Sequence, residues 1–60
     1  MNELGFTESY LKDWFNESVW EEFVKFMHGQ TVAQVEGEIT YYYADVSNFC
    51  SWIGYKYPET

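Results

Sequence analysis

The chain has 60 residues with ten acidic side chains, three lysines and no arginine, and its net charge of −7 argues against direct binding to nucleic-acid phosphates or to an anionic membrane surface. A single cysteine excludes an internal disulfide, and one cysteine with one histidine excludes a structural zinc site built from these residues, so stability must come from apolar burial. Hydrophobic residues make up 47% of the chain and aromatic residues 23%, which is typical of one small folded domain rather than of a disordered segment.

The first six residues carry no periodic pattern and are predicted to form a loose lead-in. Thr7 is predicted to cap a short helix over Glu8–Phe15, with Phe6 and Leu11 at the positions of a hydrophobic staple. The apolar side of this helix is predicted to hold Tyr10, Leu11, Trp14 and Phe15.

The clearest helical pattern lies in the stretch Asn16–Gly29, which we interpret as the core helix. At about 100° per residue its apolar side chains fall on one arc. They are Val19, Trp20, Phe23, Val24, Phe26 and Met27. This arc points away from that of the first helix, so a break is expected near Asn16–Ser18. Two capping signals compete there, either Asn16 or the box formed by Ser18 and Glu21. Gly29 is predicted to stop the helix in a left-handed conformation.

Two β-rich segments, Gln30–Val35 and Glu38–Tyr43, predict a hairpin around Glu36-Gly37. A three-residue loop is preferred because it sorts the side chains between the two faces. In that register Ala33, Ile39, Tyr41 and Tyr43 point inward, whereas Thr40 and Tyr42 point outward.

A third helix is predicted over Val46–Ile53, capped by Asp45 or Ser47 and ended by Gly54. Its apolar side is predicted to hold Val46, Phe49, Cys50, Trp52 and Ile53. Tyr55–Tyr57 alternates like a very short strand. The predicted fold is therefore α+β, with two N-terminal helices, a β-hairpin and a C-terminal helix (ααββα).

Catalytic chemistry is not indicated, because none of the common catalytic, phosphate-binding or metal-binding motifs is present. His28 is expected to interact with the end of the core helix, and Cys50 is expected to be a buried, inert thiol. Glu21 precedes Lys25 by four residues and is expected to support the helix. We therefore expect no enzymatic activity, no cofactor and no metal.

The aromatic residues are the more informative signal, because fourteen rings exceed what a core of this size is expected to enclose. Consecutive tyrosines cannot all point to one side of a strand, so Tyr42 should lie outside the main core. Exposed rings beside carboxylates are typical of protein interfaces. The chain is thus predicted to be a small acidic module, of the inhibitor or accessory kind, that docks on a basic site of a larger protein. The predicted contact residues are Tyr42, Tyr55, Tyr57, Glu36 and Glu38, with Glu17, Glu21 and Glu22 in a second acidic patch.

Two alternatives remain open. The spare aromatic surface could close a homodimer, and an open hairpin edge would also allow strand addition. A small enzyme or metal protein is the other alternative.

No signal-peptide pattern accompanies the lone thiol, which favours the cytoplasm. In size, acidity and lack of a catalytic motif, the chain is similar in type to short accessory proteins of phages and mobile elements, which act by binding a host protein. No particular residues carry that likeness.

Overall fold

Within residues 4–59, three helices and a three-stranded antiparallel sheet make up the fold. The structure is a computed structural model and describes residues 4–59. In chain order the elements are β1 (Gly5–Thr7), α1 (Glu8–Trp14), α2 (Glu17–Phe26), β2 (Ala33–Val35), β3 (Glu38–Tyr42) and α3 (Tyr43–Ile53). The predicted α+β order of two helices, a hairpin and a helix is confirmed, with one strand added in front.

The added strand is β1, which pairs with β3 and makes β3 the central strand in the order β1-β3-β2. Phe6 lies opposite Tyr41, and both side chains are buried. The prediction of a loose lead-in is therefore wrong for Gly5 and Phe6, while residues 1–3 lie outside the described residues. Gly5 permits the close pairing, since a Cβ at this position would lie 1.7 Å from the backbone oxygen of Tyr41.

The hairpin turn contains two residues, so the preferred three-residue loop is wrong. Val35 pairs directly with Glu38, and Glu36 and Gly37 both have positive φ, at 52° and 82°. Positive φ at both central positions is the requirement of a type I′ turn, which fits the twist of the flanking strands. Ala33 consequently lies opposite Thr40 on the outer face of the sheet, and not inward as predicted.

α1 begins where the sequence predicts. The Thr7 hydroxyl accepts a hydrogen bond of 3.2 Å from the backbone N–H of Tyr10. The helix ends at Trp14, one residue before the predicted boundary, and the next residue, Phe15, is extended and buried.

The break between α1 and α2 is confirmed, and Asn16 is the cap that forms. Its side-chain oxygen accepts a hydrogen bond of 2.9 Å from the backbone N–H of Val19. Of the two competing signals, the one at Ser18 is therefore unused. α2 ends at Phe26 with Met27 as its C-cap, so Gly29 has the predicted left-handed conformation, with φ +80°, but does not itself stop the helix.

α3 begins at Tyr43, three residues before the predicted start, so capping by Asp45 or Ser47 is wrong. The N-cap residue, Tyr42, makes no side-chain capping bond. Instead, the backbone N–H of Tyr43 donates to the carbonyl of Leu4 over 3.2 Å, which extends the pairing of β1 with β3 into the helix. Asp45 lies in the first turn, where a carboxylate is favoured by the helix dipole.

Gly54 ends α3 as predicted, with φ +76°. The predicted short strand at Tyr55–Tyr57 is wrong, because residues 55–59 have no regular secondary structure. This C-terminal segment packs against α1 instead. The indole N–H of Trp14 donates to the carbonyl of Lys56 over 3.0 Å, and Pro58 is fully buried.

The core lies between the inner face of the sheet and the three helices. It consists of Phe6, Leu11, Phe15, Phe23, Met27, Tyr41, Val46, Phe49 and Cys50. At its centre the Phe23 ring contacts those of Phe15, Tyr41 and Phe49, with centroids 5.0–5.5 Å apart. α2 thus supplies the centre of the core, as predicted, although Val24 on its apolar arc is 46% exposed. None of the helices within residues 4–59 has the length and apolar character needed to cross a bilayer.

Candidate docking surface

Three rings are substantially exposed in the described part of the chain: Trp52 at 70%, Tyr57 at 40% and Tyr10 at 38%. The aromatic side chains therefore do exceed the room in the core. Trp52 was predicted on the apolar side of α3 and was not among the predicted contact residues. Its exposure is the largest departure from the helical pattern.

Trp52 lies where the C-terminal ends of α2 and α3 meet. Its ring is stacked on that of Phe26, the last residue of α2, with centroids 6.2 Å apart and planes 26° apart. The buried Phe49 ring supports it from one turn earlier on α3, at 6.4 Å. Ile53, next in the chain, is also exposed. We call Phe26, Trp52 and Ile53 the Trp52 patch.

Tyr57 and Tyr10 lie on either side of the buried Phe6 ring. Tyr10 is stacked on Phe6 at 5.6 Å, and Tyr57 meets it edge-on at 5.6 Å. The Tyr10 hydroxyl donates to the backbone carbonyl of Glu59. Partial burial, with a smaller effect of Cys50, raises the pKa of Tyr57. Tyr57, a predicted contact residue, is therefore held against Phe6 while 40% of it remains exposed.

Tyr55, another predicted contact residue, is held largely by the fold. Its ring meets Phe15 edge-on at 5.4 Å, and its hydroxyl donates to the carbonyl of Trp14 over 3.3 Å. These contacts attach the C-terminal segment to α1. Little of the ring remains for a partner.

Tyr42, Glu36 and Glu38 lie at the outer face or the turn of the sheet. Glu38 and Tyr42 share that face with the buried Thr40, since alternate residues of a strand point the same way. A shallow groove of about 730 Å³ crosses this face, with Leu4 and Val35 among its lining residues and the two glutamates at the turn end. The Glu38 carboxylate accepts a hydrogen bond of 3.2 Å from the backbone N–H of Ser9, so it also stabilises the start of α1.

Glu17, Glu21 and Glu22 project from the exposed face of α2. The expected pairing of Glu21 with Lys25 is replaced by an ion pair between Glu22 and Lys25, with an N–O distance of 3.7 Å. Both partners are exposed, so this pair adds little stability. It is the one ion pair within residues 4–59.

The other two lysines face aromatic rings. The Lys12 ammonium lies 5.9 Å from the Trp20 ring centroid, and the Lys56 ammonium lies 6.0 Å from that of Trp14. Each lysine is thus placed beside a ring or beside Glu22. The other carboxylates of the described region form no ion pair, and most of them are exposed.

Features for nucleophilic or metal chemistry are weak. Cys50 is buried, and burial raises the pKa of its thiol, which disfavours the reactive thiolate. Its sulfur lies 3.8 Å from the carbonyl of Lys56. His28 is exposed, and its backbone N–H donates to the carbonyl of Lys25 over 3.1 Å. Within residues 4–59, no three His, Cys, Asp or Glu side chains lie close enough together to hold a metal ion.

The predicted contact residues are not brought into one place. Glu36, Glu38 and Tyr42 belong to the hairpin, Tyr55 and Tyr57 to the C-terminal segment, and the other three glutamates to α2. Comparison with known protein families, with curated proteins and with solved structures gave no match to this chain.

Proposed function

We propose that the chain is a protein-binding module that docks its acidic surface on a basic site of a larger protein. The observation that supports this most directly is that lysines of the same chain balance very little of its negative charge. The net charge is −7, and within residues 4–59 only Glu22 has a lysine partner. A surface of this kind attracts a positively charged partner and accelerates encounter with it.

The contact residues that we propose are of two kinds. Glu17, Glu21 and Glu22 on α2, together with Glu36 at the hairpin turn, supply exposed negative charge. Tyr57 supplies a side chain that is 40% exposed, and Tyr42 a partly exposed ring on the outer face of the sheet. An inhibitor or accessory protein would act in this way, by covering a basic site that the larger protein uses for another ligand. We place this interaction in the cytoplasm, where Cys50 would remain reduced.

Affinity capture with charge variants tests the proposal. The triple variant Glu17→Gln, Glu21→Gln, Glu22→Gln removes three charges, and the matched control Glu17→Asp, Glu21→Asp, Glu22→Asp keeps them. The full chain and both variants would be immobilised and exposed to lysate of the native cells at low and high salt, and bound proteins would be identified by mass spectrometry.

We expect a protein with a basic face that is retained by the wild type and by the aspartate control. Exposed ion pairs contribute roughly 0.2–1 kcal/mol each, so loss of three should weaken binding about 3- to 150-fold. High salt should weaken it further, because exposed charges are screened. Partners that are neutral or acidic, or an affinity indifferent to salt and to the glutamine variant, would contradict the proposal.

A homodimer is the second candidate, and the uncovered Trp52 patch favours it. Two copies of this acidic chain repel each other, so salt should strengthen a homodimer, whereas it should weaken docking on a basic partner. Sedimentation over a wide concentration range at two salt concentrations separates the two. A monomer throughout would exclude the homodimer.

A further inference from the structure

We propose that Trp52 is the anchor of the docking surface and that its ring receives an arginine side chain of the partner. This inference rests on the proposed function and deepens it, because it names the group on the partner that is bound. Three observations support it. The ring is exposed, the helix ends beside it carry partial negative charge, and the lysines of the described region contact other rings or Glu22.

The Trp52 ring is both exposed and held in place. It is 70% exposed, yet Phe26 stacks against it and Phe49 supports it from the core. Tryptophan is enriched among the residues that dominate binding energy at interfaces, and a ring already held in position loses little conformational entropy on binding. A partner that contacts Trp52 therefore gains binding energy at a small cost in conformational entropy.

The position of the ring favours a cation. Trp52 lies in the last turn of α3, which contains no basic residue, and its ring stacks on Phe26, the last residue of α2, whose last turn holds Lys25 paired with Glu22. The terminal carbonyls of both helices carry partial negative charge, which Lys25 offsets in part at the end of α2. The faces of the aromatic rings add negative potential of their own.

The lysines of the described region are all engaged elsewhere. Lys12 lies over Trp20, Lys56 lies over Trp14 and Lys25 pairs with Glu22. The protein thus already places an ammonium over two of its three tryptophans. No lysine within residues 4–59 occupies the third, and the sequence contains no arginine. Because this sequence contains no arginine, an arginine side chain that reaches the Trp52 ring belongs to another protein and not to a second copy.

Arginine fits better than lysine. Its planar guanidinium is weakly hydrated and stacks on ring faces, whereas an ammonium is a compact, strongly hydrated charge. The arrangement of an offset pair of rings at two helix ends therefore points to an arginine side chain from a basic protein segment.

An NMR titration of the full-length, ¹⁵N-labelled chain tests the inference. The probe is the peptide acetyl-Gly-Arg-Arg-Gly-amide, compared with the same peptide carrying citrulline, which has the shape of arginine without its charge, or leucine. The indole N–H signal of Trp52 is the one that disappears in the Trp52→Leu variant. The indole signals of Trp14 and Trp20 report in the same spectra whether each variant is folded.

The arginine peptide should shift the Trp52 indole signal in a saturable way, and the citrulline and leucine peptides should shift it much less. Trp52→Leu keeps apolar area but removes the ring, and we expect it to weaken the arginine peptide's affinity about two- to thirtyfold. Trp52→Phe keeps a ring and should recover part of that loss.

Three outcomes would overturn the inference. If Trp52→Leu and the wild type bound the arginine peptide with equal affinity, the Trp52 ring would not be part of the binding site. Equal binding of the leucine or citrulline peptide would make the Trp52 patch an apolar contact only. A Trp52 signal that moves with protein concentration in the absence of peptide would identify a second copy as the occupant. If the triple glutamine variant of α2 weakens the arginine peptide while Trp52→Leu does not, the proposed function stands and the Trp52 inference fails. If neither the triple glutamine variant nor Trp52→Leu weakens binding of the arginine peptide, the proposed function and the Trp52 inference both fail.

Discussion

The substitution Gly5→Ala distinguishes the three-stranded sheet from a two-stranded hairpin, because only the three-stranded sheet predicts a clear loss in the free energy of unfolding. In the structure a Cβ at Gly5 would lie 1.7 Å from the carbonyl oxygen of Tyr41, less than half a normal contact distance. The three atoms nearest to that Cβ all belong to the backbone of Tyr41 and Tyr42, so β1 has to move away from β3. Such movement also strains the Phe6–Tyr41 pairing and the bond from Tyr43 to Leu4.

Overpacking of this kind costs about 1–3 kcal/mol. A 60-residue domain has roughly 3–9 kcal/mol of stability in all, so the loss should be large in relative terms. The melting temperature should fall by about 4–8 °C for each kcal/mol. In a loose lead-in the same change would be close to neutral, because residue 5 would be about equally free in the folded and the unfolded chain.

Urea unfolding followed by tryptophan fluorescence and far-ultraviolet circular dichroism measures the difference. Ser51→Ala, on the exposed side of α3, is the control and should stay within about 0.5 kcal/mol of wild type. A Gly5→Ala variant as stable as wild type, or more stable, would show that β1 does not pair with β3 as described.

Three further predictions concern local features of the fold. Asn16→Ala should lower the free energy of unfolding by about 1 kcal/mol in urea titrations, because it removes the cap of α2, while Ser18→Ala should change little. Cys50 should react with iodoacetamide far more slowly in the folded chain than in urea, since the thiol is buried and its pKa is raised. Burial, and secondarily the charge of Glu8, raises the pKa of Tyr41 above 10.0 in the folded state. Its contribution to stability should therefore be complete below pH 10 and lost as the pH rises through the folded-state pKa, and Tyr41→Phe should flatten the fall of the urea midpoint at high pH.

The parts of the fold that the sequence predicts correctly depend on contacts between near neighbours. The Thr7 and Asn16 caps each bond a backbone N–H three residues on, and Gly54 ends α3 through its own left-handed conformation. The periodicity of α2 likewise identifies Phe23, whose ring lies at the centre of the core. In each case the deciding interaction lies within a few residues of the chain.

The wrong predictions depend on distant partners or on an uncommon conformation. β1 has three residues and exists through its pairing with β3, some 35 positions away, which no local pattern reveals. α3 begins early because Leu4 satisfies the N–H of Tyr43, so a capping side chain is not needed. The two-residue turn requires Glu36 at positive φ, which is uncommon for a residue other than glycine.

Trp52 was missed as a candidate for a related reason. Helical periodicity identifies the apolar side of α3, but not how much of its length is covered. Val46, Phe49 and Cys50 are buried, whereas Trp52 and Ile53 belong to the last turn, which extends beyond the part of the helix that the core covers. An apolar side chain at the end of a short amphipathic helix therefore requires the structure before it can be assigned to core or surface.

Charge and ring should leave different signatures in the kinetics of docking. The carboxylates of α2 are exposed and act through a long-range, screened field, so they should govern the association rate. Trp52 acts through close contact and should govern the dissociation rate. Against a basic partner immobilised on a biosensor, the triple glutamine variant of α2 should slow association and reduce its dependence on salt. Trp52→Leu should speed dissociation and leave the salt dependence unchanged. If both variants altered only the association rate, Trp52 would not be an anchor, and its exposure would need another explanation.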